Sequence, residues 1–326
     1  MRQARRDLTA RVAPRDELVN VPEFEAEAGR VLAADVFRLV SGGDRETYER
    51  ITFRPRMMVP CLDLDLSLDL VGLSLFAPIV VGPVAEQQRF HPDGELATVR
   101  GAGAGKAAVV VSGRSSQPVA AICEAATTPI LFQVFATDGG DRARAQAVEA
   151  ERAGAKAIVV TVDAPDGGGR RPRADWSAVE AVRTAVAVPV VAKGVVTPVD
   201  ATTAVSRGAR AIVVSNYGAA GAPGAPSPLE AVAPIVKAVG PDVPVLVDGG
   251  IRRGTDVMKA LALGARAVLV ARPAMWGLAA YGADGVQTVV ELLQTELARV
   301  MGCCGTPRLA AITSNHVRVH GAPPAA

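Results

Sequence analysis

A seven-residue phrase occurs three times in this chain: GAKAIVV from Gly154, GARAIVV from Gly208 and GARAVLV from Gly264, at intervals of 54 and 56 residues. Each copy opens on glycine, which closes a helix in the left-handed conformation at no steric cost. It then runs into β-branched residues without polar alternation, the signature of a strand buried on both faces. Helix end followed at once by buried strand, at a period that holds two such units, restricts the chain to a repetitive α/β fold with a parallel sheet. Counting every run of this kind gives eight, beginning at Ala77, Ala107, Pro129, Lys156, Pro189, Ala211, Pro244 and Ala267. Eight strand–helix units predict an α/β chain folded as a (β/α)8 TIM barrel with an N-terminal helical extension. A doubly wound open sheet is the alternative, but no G-x-G-x-x-G follows the first run. The expected division is a flexible tail over 1–20, an extension over 21–76 that packs on the barrel, the barrel over 77–317, and a second flexible tail over 318–326.

Composition agrees with a tightly packed core: 49% of residues are hydrophobic and only 4% aromatic. The net charge of +2 gives no basic footprint for nucleic acid. No apolar run reaches the roughly 18 residues of a membrane span, and the Arg-rich N-terminus lacks the apolar core of a secretory signal. A cytoplasmic protein with no membrane partner is therefore expected. Cys61, Cys123, Cys303 and Cys304 form no C-x-x-C pair and have no histidine at ligand spacing, so no metal is expected. Vicinal Cys303 and Cys304 read as small apolar residues near a helix end. GAGAGKAA from Gly101 fails the P-loop pattern on spacing and on the final Ser/Thr.

Active sites of such barrels lie at the C-terminal ends of the strands. Those ends carry Pro83, Val84, Ala85, Ser112, Gln133, Phe135, Thr161, Asp163, Lys193, Ser215, Asn216, Tyr217, Asp248, Gly249, Gly250, Ala271 and Arg272. Of five lysines, only Lys193 ends a strand on this face, where its charge would stabilise an anion formed in the pocket. The stretches DGGIRRG and ARP end the seventh and eighth runs, where barrels commonly bind phosphate. Gly249 and Gly250 allow close backbone approach, and Arg252 or Arg272 can fork onto phosphate oxygens.

This rim set resembles the FMN-dependent 2-hydroxy-acid oxidase and dehydrogenase family, which includes glycolate oxidase, lactate oxidase and mandelate dehydrogenase. The resemblance spans about Glu23 to Val317 and rests on FRPRMMV, HPDGE, EAERAGAKAIVVTVDAP, VAKGV, VVSN and the long block from Asp248 to Pro273. It implies FMN as cofactor, a small-molecule or carrier-bound substrate and a homotetrameric assembly. It further implies that Pro83, Val84 and Ala85 lie along the flavin ring, with Ser112, Gln133, Thr161 and Ser215 at its edge. Lys193 would sit near N1 and the C2 carbonyl. Asp248, Gly249, Gly250, Arg252, Ala271 and Arg272 would hold the ribityl chain and phosphate.

The substrate side departs from that pattern. Family members carry S-N-H-G-x-R after the sixth strand, the histidine abstracting a proton and the arginine gripping the substrate carboxylate. This chain reads Ser215-Asn216-Tyr217-Gly218-Ala219-Ala220. A substrate tyrosine at the end of the third strand is Phe135, and another, before SGG, aligns with Arg38. Asp163, the counterpart of the residue that orients the histidine, persists. Arg170 or Arg171 matches a second carboxylate-binding arginine. The segment before Trp176 is shorter than the lid of relatives, which leaves the pocket more open. A free phenol ionises some three units higher than a free imidazole, so only about a thousandth of it is in the basic form at neutral pH. Three readings follow: an FMN oxidoreductase acting on a non-standard or larger substrate, a slow 2-hydroxy-acid oxidase relying on Arg171, and a silent flavin-binding partner protein.

Overall fold

The computed structural model describes residues 12–43, 45–163, 176–219 and 227–321. Three helices open the described chain: α1 (Val21–Val31), α2 (Ala34–Val40) and α3 (Glu46–Glu49). Strand β1 (Ile51–Phe53) and a short hairpin, β2 (Leu68–Leu70) and β3 (Leu73–Leu75), follow. Strand–helix units then run β4 (Ile79–Val81), α4 (Gly94–Ala104), β5 (Val109–Ser112), α5 (Val119–Ala125), β6 (Ile130–Phe135) and α6 (Gly140–Arg152). They continue with β7 (Ala157–Thr161), α7 (Ser177–Ala185), β8 (Val190–Val195), α8 (Pro198–Ser206), β9 (Ala211–Val214) and α9 (Pro228–Val239). The last are β10 (Val245–Asp248), α10 (Gly254–Ala262), β11 (Ala267–Val270) and α11 (Arg272–Cys304), with Gly282 breaking the helical geometry inside α11. Strand β12 (Val317–Val319) closes the described chain by pairing antiparallel with β1.

Strands β4 to β11 close into a parallel barrel, so each of the eight apolar runs forms one stave. The three glycine phrases do the same local work. The N–H groups of Gly154, Gly208 and Gly264 donate to the carbonyls of Glu151, Val205 and Leu261, and the next alanine's N–H reaches back five residues. That is the Schellman closure, with φ of +107°, +95° and +103° at the three glycines. Two residues on, Lys156, Arg210 and Arg266 each donate at 2.7 Å to the preceding strand, so the phrase ends a helix and sets the strand register together.

Alternation along the staves divides the core in two. Val80, Val110, Leu131, Val159, Val191, Val213, Leu246 and Leu269 point inward, while Ile79, Val81, Ile158 and Val160 pack under the helices. The hairpin β2–β3 inserts Leu68, Leu70 and Leu75 into the inner cluster and plugs the bottom of the barrel.

The tail expected to run to residue 20 is anchored from Ala13 onward. The Ala13 carbonyl accepts from the Tyr281 hydroxyl, and Arg15 reaches the Asp284 carbonyl and the Thr288 hydroxyl. The C-terminal boundary expected at 317 likewise falls inside β12, because residues 317–319 find an unpaired edge at β1. Among the described residues no helix is long and apolar enough to cross a membrane.

Candidate active site

A cavity of about 470 Å³ opens at the C-terminal ends of the strands. Pro83, Val84 and Ala85, just past β4, form one wall. That wall is held from behind by polar groups out of contact with solvent. Gln87 donates to the Val84 carbonyl, and Thr98 donates to Gln87 at 2.6 Å. The buried Glu95 carboxylate accepts the N–H groups of Gln87 and Ser116, which ties the loops after β4 and β5 together. The HPDGE block thus supplies a buttress rather than a reacting group.

Lys193 is 3% exposed. The side chain is part of the cavity lining, with Nζ 2.8 Å from Ser215 Oγ and 2.9 Å from Asp248 Oδ2. Ser215 in turn donates to Asp248 at 3.0 Å and accepts the N–H of Tyr217. Removing this ammonium from water is offset by the carboxylate and hydroxyl it meets. Ser112 and Gln133 also line the cavity. Thr161 lies beneath them, fully buried, accepting from the Gln133 amide at 2.7 Å.

At the other end two guanidinium groups converge. Arg252 and Arg272 both donate to the Gly42 carbonyl, at 2.5 and 2.9 Å. Burial, reinforced by the neighbouring Arg272 charge, lowers the Arg252 pKa to about 10. Among the described residues neither arginine forms a salt bridge with a carboxylate, and Arg252 stacks on Trp276 at 4.5 Å. The adjoining Gly249 and Gly250 take φ of +88° and +72°. Their carbonyls are fixed by the Tyr48 hydroxyl and by Arg45, so the N-terminal extension shapes this loop. Ala271 lines the cavity beside Gly82. Converging cations with no carboxylate at salt-bridge distance among the described residues, an apolar wall and a buried ammonium form a donor set that fits a flat heteroaromatic ring joined to a phosphate.

The sequence profile of FMN-dependent dehydrogenases matches residues 41–174 and 167–319. The chain belongs to the FMN-dependent dehydrogenase family. It is 35% identical to the peroxisomal (S)-2-hydroxyacid oxidase GLO4 of Arabidopsis thaliana, over 93% of this chain and 97% of that protein. Glycolate oxidase of Spinacia oleracea is 31% identical, with 92% and 96% covered. The crystal structure of mandelate oxidase with (S)-2-phenylpropionate is similar at a TM-score of 0.86 and 36% identity, covering 94% of this chain and all of that one. This FMN-dependent dehydrogenase is thus an oxidoreductase of the 2-hydroxy-acid oxidase family, with FMN as its cofactor.

In this family member Tyr217 follows β9, lines the cavity and is 46% exposed, with the Lys193 ammonium 5.3 Å from its ring centre. Asp163 accepts the Gly218 N–H on Oδ2 at 2.8 Å, while Oδ1 is buried and has no hydrogen bond among the described residues. Burial pushes the Asp163 carboxyl above its ordinary range, against the opposing pull of the Gly218 N–H and Lys193. Among the described residues no histidine lines the cavity. His320 bonds to Thr52, His316 to Thr313, and His91 to the Asp93 N–H.

Phe135 lines the cavity as expected. Arg38 does not: it is exposed on α2, whereas Leu39 and Val40 face the cavity. Successive helical residues point about 100° apart, so the loose alignment at SGG selected the wrong face of the helix. Arg170, Arg171 and Ala220 lie outside the described residues. The sequence reading also missed Glu86, Arg89 and Arg114 in the lining. Arg114 stands two residues past the end of β5, a position where barrel sites recruit side chains, and that offset was the available signal.

Proposed function

We propose that the chain oxidises a 2-hydroxy acid that is larger than glycolate or lactate, at a site where a phenol stands in place of an imidazole. The observation that carries this reading is Tyr217, which lines the cavity beside Lys193, with no histidine among the described lining residues. Bound FMN supplies the acceptor for the two electrons removed from the substrate. Pro83, Val84 and Ala85 form a flat wall for its ring. Ser112 and Gln133 offer hydrogen bonds to the ring edge, with Thr161 fixing the Gln133 amide. Lys193, held by Ser215 and Asp248, would supply a positive charge to bound FMN and would favour negative charge developing on it. Arg252 and Arg272, with Gly249, Gly250 and Ala271, take the phosphate end, where an anion relieves the repulsion between the two guanidinium groups.

On the substrate side, the Tyr217 hydroxyl hydrogen-bonds the substrate hydroxyl, and Asp163 positions it by fixing the next peptide N–H. Space for a larger acid is what the family resemblance implies, since the segment before Trp176 is shorter in sequence than the lid of relatives. Anaerobic holoenzyme mixed with glycolate, lactate, mandelate and bulkier 2-hydroxy acids tests the reading through bleaching of the flavin absorbance. Bleaching is expected to be faster with the bulky acids, and Tyr217→His is expected to raise the rate with the short ones. Equal or faster bleaching by glycolate, or none by any acid, overturns it.

A further inference from the structure

Among the described residues five cationic side chains line the cavity, and four are accounted for by what surrounds them. Lys193 is engaged with Asp248, and Arg252 and Arg272 converge on Gly42. Arg89 belongs to a single turn, half exposed, and pairs with Glu86 three residues before it. Arg114 is likewise half exposed and paired, with Asp138, but unlike Arg89 it also lies over an aromatic ring. Its guanidinium carbon lies over the Phe135 ring, 4.0 Å from the centroid. Its Nη2 donates to Asp138 Oδ1 at 2.7 Å, and among the described residues no hydrogen bond engages Nη1 or Nε. The backbone beneath it is pinned from both sides, its N–H by Ser112 Oγ and its carbonyl by the Glu86 N–H. A guanidinium held by Asp138 and by the Phe135 ring, with Nη1 and Nε open, can fork onto a carboxylate with part of its side-chain freedom already lost before binding.

Position adds a second argument. In the closed ring of eight strands, β5 and β9 stand four apart and therefore face each other across the mouth. The loop after β9 offers Tyr217, glycine and alanines, with no cation to receive an acid. The loop after β5 offers Arg114 directly across from it. We propose that Arg114 is the substrate-anchoring cation, receiving the substrate's carboxylate on the β5 side of the mouth so that the rest of the molecule extends towards Tyr217. Phe135, which lacks a hydroxyl to offer the acid, acts as the platform over which this guanidinium lies.

The proposal rests on the acid-substrate reading above, and its test requires no turnover, so the two fail separately. Oxalate, a dicarboxylate with no oxidisable carbon–hydrogen bond, is titrated into native holoenzyme and followed by the shift in the flavin spectrum. Arg114→Met, which keeps an apolar stem over Phe135, is expected to weaken oxalate binding roughly ten- to hundredfold at unchanged flavin content. Arg114→Lys, which keeps charge but loses the fork, falls between. Asp138→Asn leaves Arg114 in place and removes its competing carboxylate, so oxalate should bind severalfold more tightly. This variant decides the matter should Arg114→Met lose its flavin. A native spectrum that oxalate does not perturb, equal affinity in Arg114→Met holoenzyme, or no tightening in Asp138→Asn overturns the proposal.

Discussion

Asp163 shows how one residue's surroundings reverse its usual behaviour. A carboxylate in a folded protein normally gains partners and stabilises the fold above its ordinary titration range. Here burial dominates and one oxygen stays unpaired among the described residues, so the folded state holds the proton more tightly than the unfolded chain. The stability this contributes is full below the ordinary carboxylate range and is lost as pH rises through the raised folded value. Asp163→Asn, which stays uncharged and still accepts the Gly218 N–H, should therefore raise the melting temperature at neutral pH. The difference should vanish in acid, and parallel melting curves from about pH 4 to about pH 8 would count against it. At this scale the sequence singled out Asp163 through its place after β7. It carried no sign that the carboxylate has a buried oxygen with no hydrogen bond among the described residues, because that depends on Gly194 and Gly218. A Cβ on Gly194 would lie 2.1 Å from Asp163 Oδ1, and one on Gly218 would overlap the Asp163 carbonyl.

The elements repeat a single device, and it can be tested by contrast. Gly154 closes α6 at positive φ, and a methyl group added there would have no neighbour within 4 Å, so Gly154→Ala meets only backbone strain. A loss of about 1 kcal/mol in urea unfolding is expected. Gly101 lies in α4 against α11, where a Cβ would sit 2.1 Å from the Ala283 carbonyl oxygen. Backbone cannot step aside as a flexible side chain can, so Gly101→Ala should cost about 2–3 kcal/mol, the upper part of the range for overpacking. Similar losses in the two variants would refute the distinction. The sequence displayed both glycines in glycine-rich phrases. Only the Schellman role was legible, since it depends on neighbours in the chain, whereas the contact of α4 with α11 joins segments far apart in sequence.

Across the whole molecule, the two ends of the barrel have separate duties. The hairpin β2–β3 seals the bottom with Leu70, which is 1% exposed within the inner cluster, while the candidate active site occupies the opposite mouth. Leu70→Ala should cost about 2–5 kcal/mol of stability and leave the spectrum of bound flavin unchanged; loss of flavin from a still-folded variant would show that the ends are coupled. The N-terminal extension spans the difference, plugging one end and, through Arg45, Tyr48 and Gly42, shaping the Gly249–Gly250 loop and its neighbouring Arg272 at the other. Its helices were expected from the sequence, but its contribution of the Gly42 carbonyl to the site was not. What the sequence determined by itself was the barrel, its eight staves and the rim set, because helix closure, strand burial and register all act between neighbours in the chain. What only the tertiary structure decided was which rim residues share one cavity. Lys193 turned inward onto Asp248, Arg38 turned away, and Arg114 was laid over Phe135, since closing the ring brings together side chains that no local pattern relates.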